Sequence, residues 1–208
     1  MPRVYSKSYQ TVVPQVAETD LLSTCSGTHK WIPQFLRGKN SWKIFSGEWS
    51  LKTPNKMVCR NRPHVSTGEN LAIIGSRRWR KFTLNIKFKI LTKSIKPPQG
   101  GAIVYFLFAN LRNFYSVHCC LCKNRIELIK RVKGNWLTLQ SAVTNFETGS
   151  SYTITINTDQ GNHSCHLNGL NVIMARDTDI SKGCLGIGAK YCDVQFDQVS
   201  VTLPSTKV

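Results

Sequence analysis

Histidine and cysteine side chains, the residue types that bind transition metals, cluster in the second half of the chain. His118, Cys120 and Cys122 stand two residues apart, so on a β-strand all three side chains would share one face. A second group follows later in the chain: His163, Cys165 and His166. Zinc prefers such ligands, but same-face neighbours on a strand are about 6.6 Å apart, too far for three to reach one ion. We therefore expect no metal site and predict that the eight cysteines are free thiols, packed as small apolar side chains.

Carboxylates, the groups needed for glycoside hydrolysis, do not occur in closely spaced pairs of the kind that would serve as acid and nucleophile. The glutamates are isolated from one another: Glu18, Glu48, Glu69, Glu127 and Glu147. The G-x-S-x-G nucleophile motif, the phosphate-binding loop and the dinucleotide fingerprint are also missing from the sequence. We therefore expect a protein that is not an enzyme, and keep a glycosidase as a third alternative.

Basic and aromatic side chains are interleaved in a pattern that suits anionic polymers. The segment SRRWRKF (76–82) surrounds Trp79 with cations. Lys87 and Lys89 follow on the polar side of the predicted strand over residues 82–90, and Arg112 follows the apolar run over residues 102–108. Cations pair with sulfate, carboxylate or phosphate, while aromatic rings stack on sugars or bases. The predicted contact residues are Arg77, Arg78, Trp79, Arg80, Lys87, Lys89 and Arg112. The alternative is that Trp79 packs over the edge of the core and that the cations only keep the ends of the strands soluble.

The charge of the chain is large and regional. There are 28 Lys and Arg against 11 Asp and Glu, a net charge of +17. Residues 41–140 hold 19 basic and 3 acidic side chains, whereas residues 141–208 hold 4 and 6. Such an excess repels itself and favours an anionic partner: a glycan, nucleic acid or an acidic surface. No apolar run approaches the roughly 20 residues that span a bilayer, so insertion into a membrane is not expected.

Strand patterns fill the chain from residue 41 onward. Residues 82–90 alternate apolar and polar side chains, and AIVYFLF (102–108) is a continuous apolar run typical of a central strand. A hairpin is predicted across Lys123-Asn124, with Leu121 opposite Ile126 and Cys119 opposite Leu128. About ten strands without an amphipathic helix predict an antiparallel two-sheet sandwich.

Two local irregularities can also be predicted from residue types. Asn168-Gly169 separates two short strand patterns and favours a turn with positive φ. In residues 192–203 the apolar positions switch from even to odd, which a one-residue bulge near Asp197-Gln198 would reconcile.

The first forty residues differ from the rest. They show no sustained periodicity and contain Pro2, Pro14 and Pro33, so we predict an extended N-terminal arm over residues 1–40 and one domain over 41–208, with residues 31–36 anchoring the arm. The opening MPRVYSKSYQ lacks an apolar signal core, which favours a cytoplasmic or virion-associated protein.

The order of the strand segments resembles the concanavalin A-like lectin/glucanase superfamily, in particular its laminin-G-like jelly rolls. The segments that carry the resemblance, over residues 41–203, are WKIFSGEWSL (42–51), KFTLNIKFKI (81–90), GGAIVYFLFANLRNFYSVHCC (100–120), NWLTL (135–139), YTITINTD (152–159), CHLNGLNV (165–172) and DISKGCLGIGAKYCDVQFDQVSV (179–201). The resemblance implies an all-β, antiparallel two-sheet jelly-roll sandwich, with ligands on a sheet face or its rim loops. It also raises calcium at a rim loop, with Asp159, Asp177 and Asp179 as candidates, although turn formation explains these aspartates equally well.

The leading hypothesis is a non-catalytic, lectin-like module that binds an anionic polymer, with a glycan as first choice and nucleic acid still open. The second is a structural protein, such as a virion or coat component, that self-associates through its N-terminal arm. Fold alone does not choose between them, because members of such superfamilies have many functions.

Overall fold

The protein is an antiparallel β-sandwich, described in a computed structural model for residues 29–31, 42–53, 56–60, 69–93 and 100–204. These residues form fifteen strands and no helix. Sheet A has eight strands: β1 (His29–Trp31), β3 (Glu48–Thr53), β4 (Lys56–Arg60), β6 (Phe82–Ile90), β11 (Ser151–Asp159), β12 (Asn162–Leu167), β13 (Leu170–Arg176) and β15 (Val194–Leu203). Sheet B has seven: β2 (Lys43–Ser46), β5 (Glu69–Ile74), β7 (Gly101–Asn110), β8 (Asn113–Cys120), β9 (Arg125–Val132), β10 (Asn135–Val143) and β14 (Cys184–Lys190). The predicted all-β, two-sheet architecture is confirmed.

The strand order brings distant segments together. Sheet A runs β13-β12-β11-β6-β15-β4-β3, with β1 pairing to β15. Sheet B runs β10-β9-β8-β7-β14-β5-β2, so β7 and β14 occupy its centre. The described residues include no helix that is long and apolar enough to cross a membrane.

The main core lies between the two sheets and follows from the alternation of side chains. In β6 the residues Phe82, Leu84, Ile86, Phe88 and Ile90 are buried, while the polar residues between them face outward. Phe88 is fully buried and packs on the rings of other strands: it stacks on Tyr152 at 5.7 Å and lies tilted against Phe196 at 6.5 Å. This packing fixes which face of β6 is internal.

The local irregularities of the second half are confirmed. Asn168 and Gly169 have φ angles of 51° and 85°, as a tight turn between β12 and β13 requires. The register of β15 against β6 shifts between Phe196 and Gln198, which leaves Asp197 as the bulged residue. The bulge lets both Phe196 and Val199 point into the core despite their odd spacing.

The predicted register of the β8–β9 hairpin is wrong by two residues. Cys119 pairs with Ile126 and Val117 with Leu128, because the connection is a four-residue turn over residues 121–124. Asn124 takes a φ of 46° in that turn. Since the side-chain period of a strand is two, the same residues still face the core.

The predicted N-terminal arm lies outside the described residues except for β1. The backbone of His29–Trp31 pairs with β15, with Trp31 opposite Val201. The remainder of residues 1–40 therefore stays a prediction.

The alternation of β6 predicts opposite outcomes for two adjacent substitutions. Phe88→Ala empties a fully buried site and is expected to lower the free energy of unfolding by about 3–5 kcal/mol. Lys87→Ala removes an exposed side chain and is expected to change it by less than about 0.5 kcal/mol. Denaturant unfolding of both variants checks this, and a large loss at Lys87 would contradict the assigned faces.

Candidate functional site

A second apolar cluster lies on the outer face of sheet B, on the side away from the main core. Its buried members all come from strands of sheet B: Leu71, Ile73, Ile103, Tyr105, Phe108, Phe114 and Cys184, with Phe45 packed against them. Aromatic contacts hold it together, with Tyr105 and Phe114 ring centres 5.2 Å apart. The outer face of sheet A is polar by contrast, as in the hydrogen bond from Thr83 Oγ1 to Asn157 Oδ1 of 2.8 Å. The outer face of sheet B is therefore the unusual surface of the sandwich.

A pocket of about 320 Å³ opens at one end of this face. We call it the His118 pocket. Strand register builds it, since Ile103 pairs with His118 and His118 pairs with Glu127 across three neighbouring strands. Its lining residues are Glu69, Gly100, Gly101, Ala102, Ile103, His118, Cys119, Cys120, Lys123, Glu127, Ile129, Trp136, Thr138 and Lys190. Apolar, aromatic, acidic and basic groups thus converge on one concavity, as in small-ligand sites.

Trp136 of β10 forms the wall of the His118 pocket and is 46% exposed. The Arg131 guanidinium lies over its ring, 4.8 Å from the ring centre. Phe114 and His118 meet the same indole edge to face, at 5.5 Å and 6.4 Å. The ring is therefore fixed from several sides while much of it remains open to a ligand.

His118 is a neutral polar group at the base of the pocket. Burial, together with the smaller effect of the charges of Lys190 and Lys123, lowers the pKa of its imidazole to about 3. The Nε2 atom is buried and has no hydrogen-bond partner among the described residues. A buried ring nitrogen without a partner is costly unless a ligand or water completes it. His118 Nε2 is thus a buried polar atom without a hydrogen-bond partner among the described residues, beside the pocket.

The two carboxylates of the pocket are both beside cations. Glu69 Oε1 lies 3.0 Å from Lys190 Nζ. Glu127 Oε1 lies 3.9 Å from Lys123 Nζ and 3.7 Å from Arg125 Nη1, and Glu127 also accepts from the Cys120 thiol at 3.6 Å. The acidic groups are therefore anchored within ion pairs that leave a surplus of positive charge.

The sequence-predicted contact residues are spread over the molecule. Arg77, Arg78 and Arg80 are exposed on the connection between β5 and β6. Trp79, between them, packs partly on the main core and lies 6.4 Å from the Phe82 ring. Lys87 and Lys89 are on the outer face of sheet A, because their neighbours Phe88 and Ile90 point inward.

Two of these predicted residues line the same pocket. Arg77 and Arg112 line a second pocket of about 390 Å³ at the other end of the outer face of sheet B. The structure thus joins the sequence-distant residues 77 and 112 but separates both from the lysines of β6. Trp136 was missed as a candidate because only the register of β10 shows that its ring faces the His118 pocket.

The histidines and cysteines considered for zinc are also dispersed. His118 and Cys120 are on the outer face of sheet B, whereas His163 and Cys165 point inward from β12. Within the described ranges, no group of three His, Cys, Asp or Glu side chains is placed to hold a metal ion. The seven described cysteines are thiols, five of them buried, and burial raises the pKa of Cys165 to about 12.

The aspartates considered for calcium are held by lysines. The Lys130 ammonium contacts Asp177 and lies 2.6 Å from Asp179 Oδ2, and Asp177 also accepts the Tyr115 hydroxyl. Asp159 lies 2.7 Å from Lys81 Nζ. His163 Nε2 donates to the Asp177 backbone oxygen at 3.1 Å, which fixes the same loop. These loops are thus closed by ion pairs within the chain.

Comparison with known proteins defines the class of the fold. No family model matches the chain, and no curated protein matches its sequence. Carbohydrate binding module CBM66 from Bacillus subtilis superposes with a TM-score of 0.65 at 17% identity, covering 76% of this chain and 94% of that one. The VIP36 exoplasmic/lumenal domain in its Ca²⁺/Man2-bound form gives 0.63 at 13%, covering 86% and 89%. Bacillus licheniformis β-glucanase gives 0.61 at 8%, covering 86% and 99%. The fold is a concanavalin A-like jelly roll, which confirms the resemblance seen in the sequence at the level of fold.

The Lys130–Asp177 contact predicts a pH-dependent contribution to stability. Burial alone would raise the pKa of Asp177, but hydrogen bonds from Lys130 and Tyr115 outweigh it and lower the pKa below 3.8. A lowered folded-state pKa stabilises the protein above the unfolded pKa, and this stabilisation is lost as pH falls through the folded value. Asp177→Asn is expected to cost about 2 kcal/mol at pH 7, and the difference from the wild-type protein should shrink below about pH 4.

Thermal unfolding between pH 2 and pH 7 measures this difference. Asp179→Asn is the matched control, because the Asp179 side chain is 50% exposed and its ion pair should contribute less than about 1 kcal/mol. A cost of Asp177→Asn that stays constant from pH 7 to pH 2 would contradict the proposed ionic contact.

Proposed function

We propose that the protein is a non-catalytic carbohydrate-binding protein that takes an acidic saccharide on the outer face of sheet B. The observation that carries the proposal is the half-exposed ring of Trp136 beside the polar groups of the His118 pocket. Sugars bind through apolar C–H faces that stack on aromatic rings and through hydroxyls that need polar partners. The pocket offers both kinds of contact.

The named properties of structural neighbours support the same class of ligand. CBM66 is described as a carbohydrate binding module, and the VIP36 domain was determined with bound mannose sugars. Because their sequence identities to this chain are 17% or less, they support a general class of ligand and no particular sugar.

The charges around the pocket favour an acidic saccharide over a neutral one. Lys123, Arg125, Arg131 and Lys190 lie in or beside the pocket, against the carboxylates of Glu69 and Glu127. Sulfate or carboxylate groups on a sugar would pair with the surplus cations. Arg78, Arg80, Lys87 and Lys89 lie elsewhere on the surface and would add long-range attraction rather than contacts in this pocket.

The arrangement of carboxylates supports binding without hydrolysis. Glu69 on β5 and Glu127 on β9 are separated by three strands in the order of sheet B, so they are not a closely spaced pair on one strand. Each of these glutamates is also within 4 Å of a basic side chain.

Substitution of Trp136 tests the proposed site. Trp136→Ala is expected to weaken binding of a heparin-derived hexasaccharide by about fivefold or more, because a stacking contact contributes about 1 kcal/mol. Leu137→Ala is the matched control, since Leu137 is the next residue of β10, is 54% exposed and does not line the pocket. Isothermal titration calorimetry at two or more salt concentrations measures both variants.

Two further ligands separate a saccharide site from attraction by charge alone. A neutral dextran oligosaccharide of equal length should bind more weakly, and double-stranded DNA of equal charge, whose bases are already stacked within the duplex, should be insensitive to Trp136→Ala. If the heparin fragment and DNA bind alike, with the same salt slope and no effect of Trp136→Ala, the protein is a nonspecific polyanion binder.

A further inference from the structure

We propose that the second pocket on sheet B, lined by Arg77 and Arg112, binds a small anionic amphiphile, meaning an aromatic or aliphatic body that carries one carboxylate or sulfonate. We call it the Arg77 pocket. It is formed by residues at the ends of β5, β7 and β14 and by the turn before β8, and it has a volume of about 390 Å³. None of its lining residues lines the His118 pocket, so this site is independent of the proposed saccharide site.

The floor of the Arg77 pocket is apolar. Phe45, Ile73, Phe108 and Cys184 belong to the outer apolar cluster of sheet B and form this floor. The Phe45 and Phe108 rings meet edge to face at 6.0 Å, which leaves a surface of ring carbons for the body of a ligand. The Cys184 thiol is committed to the Gly75 backbone oxygen at 3.5 Å, so it adds apolar surface rather than a free polar group.

The rim of the pocket is cationic. Arg77 is exposed and forms no ion pair with any residue that the structure describes. Burial raises the pKa of the Cys184 thiol to about 11, and the nearby charge of Arg77 offsets part of that rise. Arg112 donates Nη2–H to the Lys133 backbone oxygen at 2.9 Å, which orients the guanidinium while its other N–H groups remain available. No aspartate or glutamate is among the described lining residues.

Apolar floor and cationic rim together select the chemical class of the ligand. A saccharide lying on this floor would bury hydroxyls without hydrogen-bond partners, which is unfavourable. A neutral hydrocarbon would leave the two arginines without a counter-charge. An anionic amphiphile satisfies both parts, because guanidinium groups pair well with carboxylate and sulfonate oxygens. The pocket volume is also in the range that holds small molecules.

A pair of fluorescent probes that differ in charge tests the proposal. 8-Anilino-1-naphthalenesulfonate carries the sulfonate, and N-phenyl-1-naphthylamine has a closely similar body without it. We expect one saturable site per chain for the sulfonate probe, displaced by decanoate. Arg77→Ala and Arg112→Ala should each weaken this probe about tenfold and leave the neutral probe within about twofold.

Arg80→Ala is the matched control, because Arg80 is an exposed arginine of the same connection that does not line the pocket. Circular dichroism shows whether each variant is folded. If Arg112→Ala is destabilised, Arg77→Ala alone tests whether the pocket binds the sulfonate probe. The proposal is overturned if Arg80→Ala weakens the sulfonate probe as much as Arg77→Ala, if neither pocket variant weakens it, or if the neutral probe binds equally well. The heparin-derived hexasaccharide should not displace the sulfonate probe, so failure here and failure of the saccharide proposal are distinguishable.

Discussion

The burial of strand β7 on both faces is the constraint on which the rest of the structure depends. Residues 101–108 of this strand are all buried, yet successive side chains of a strand point to opposite faces. Phe106 therefore enters the core between the sheets, while Tyr105 enters the outer cluster of sheet B. Most surface sheets of a sandwich bury one face only. Sheet B has apolar packing on both of its faces. The His118 pocket and the Arg77 pocket lie at the two ends of the apolar cluster on its outer face.

The ion pairs show how the regional charge is accommodated. Acidic residues of the C-terminal third are beside lysines from the basic middle of the chain: Asp159 with Lys81, Asp177 and Asp179 with Lys130, and Asp197 with Lys56. The mildly acidic third thus supplies counter-charges within the fold. Around the two outer-face sites cations outnumber carboxylates, which is consistent with the anionic partner proposed for each site.

Local features of the fold could be predicted from sequence because local chemistry determines them. The Asn168-Gly169 turn follows from residues that tolerate positive φ, and the bulge at Asp197 follows from the switch in apolar parity. The β8–β9 register could not be predicted because a two-residue shift preserves every inward side chain. The two pockets were harder to predict than the fold, since they depend on pairing between strands that are distant in sequence. Arg77 and Arg112 were both named from sequence, but their shared pocket follows only from sheet order.

The central claim is that a saccharide binds on the outer face of sheet B beside Trp136. The chain has five tryptophans, and their indole N–H groups give separate signals in a ¹H–¹⁵N correlation spectrum. Titration of the labelled protein with the heparin-derived hexasaccharide is the most direct measurement. We predict a saturable shift of the Trp136 signal while that of Trp79, which packs on the main core, stays in place. A saturable shift of Trp79 with an unmoved Trp136 would contradict the account.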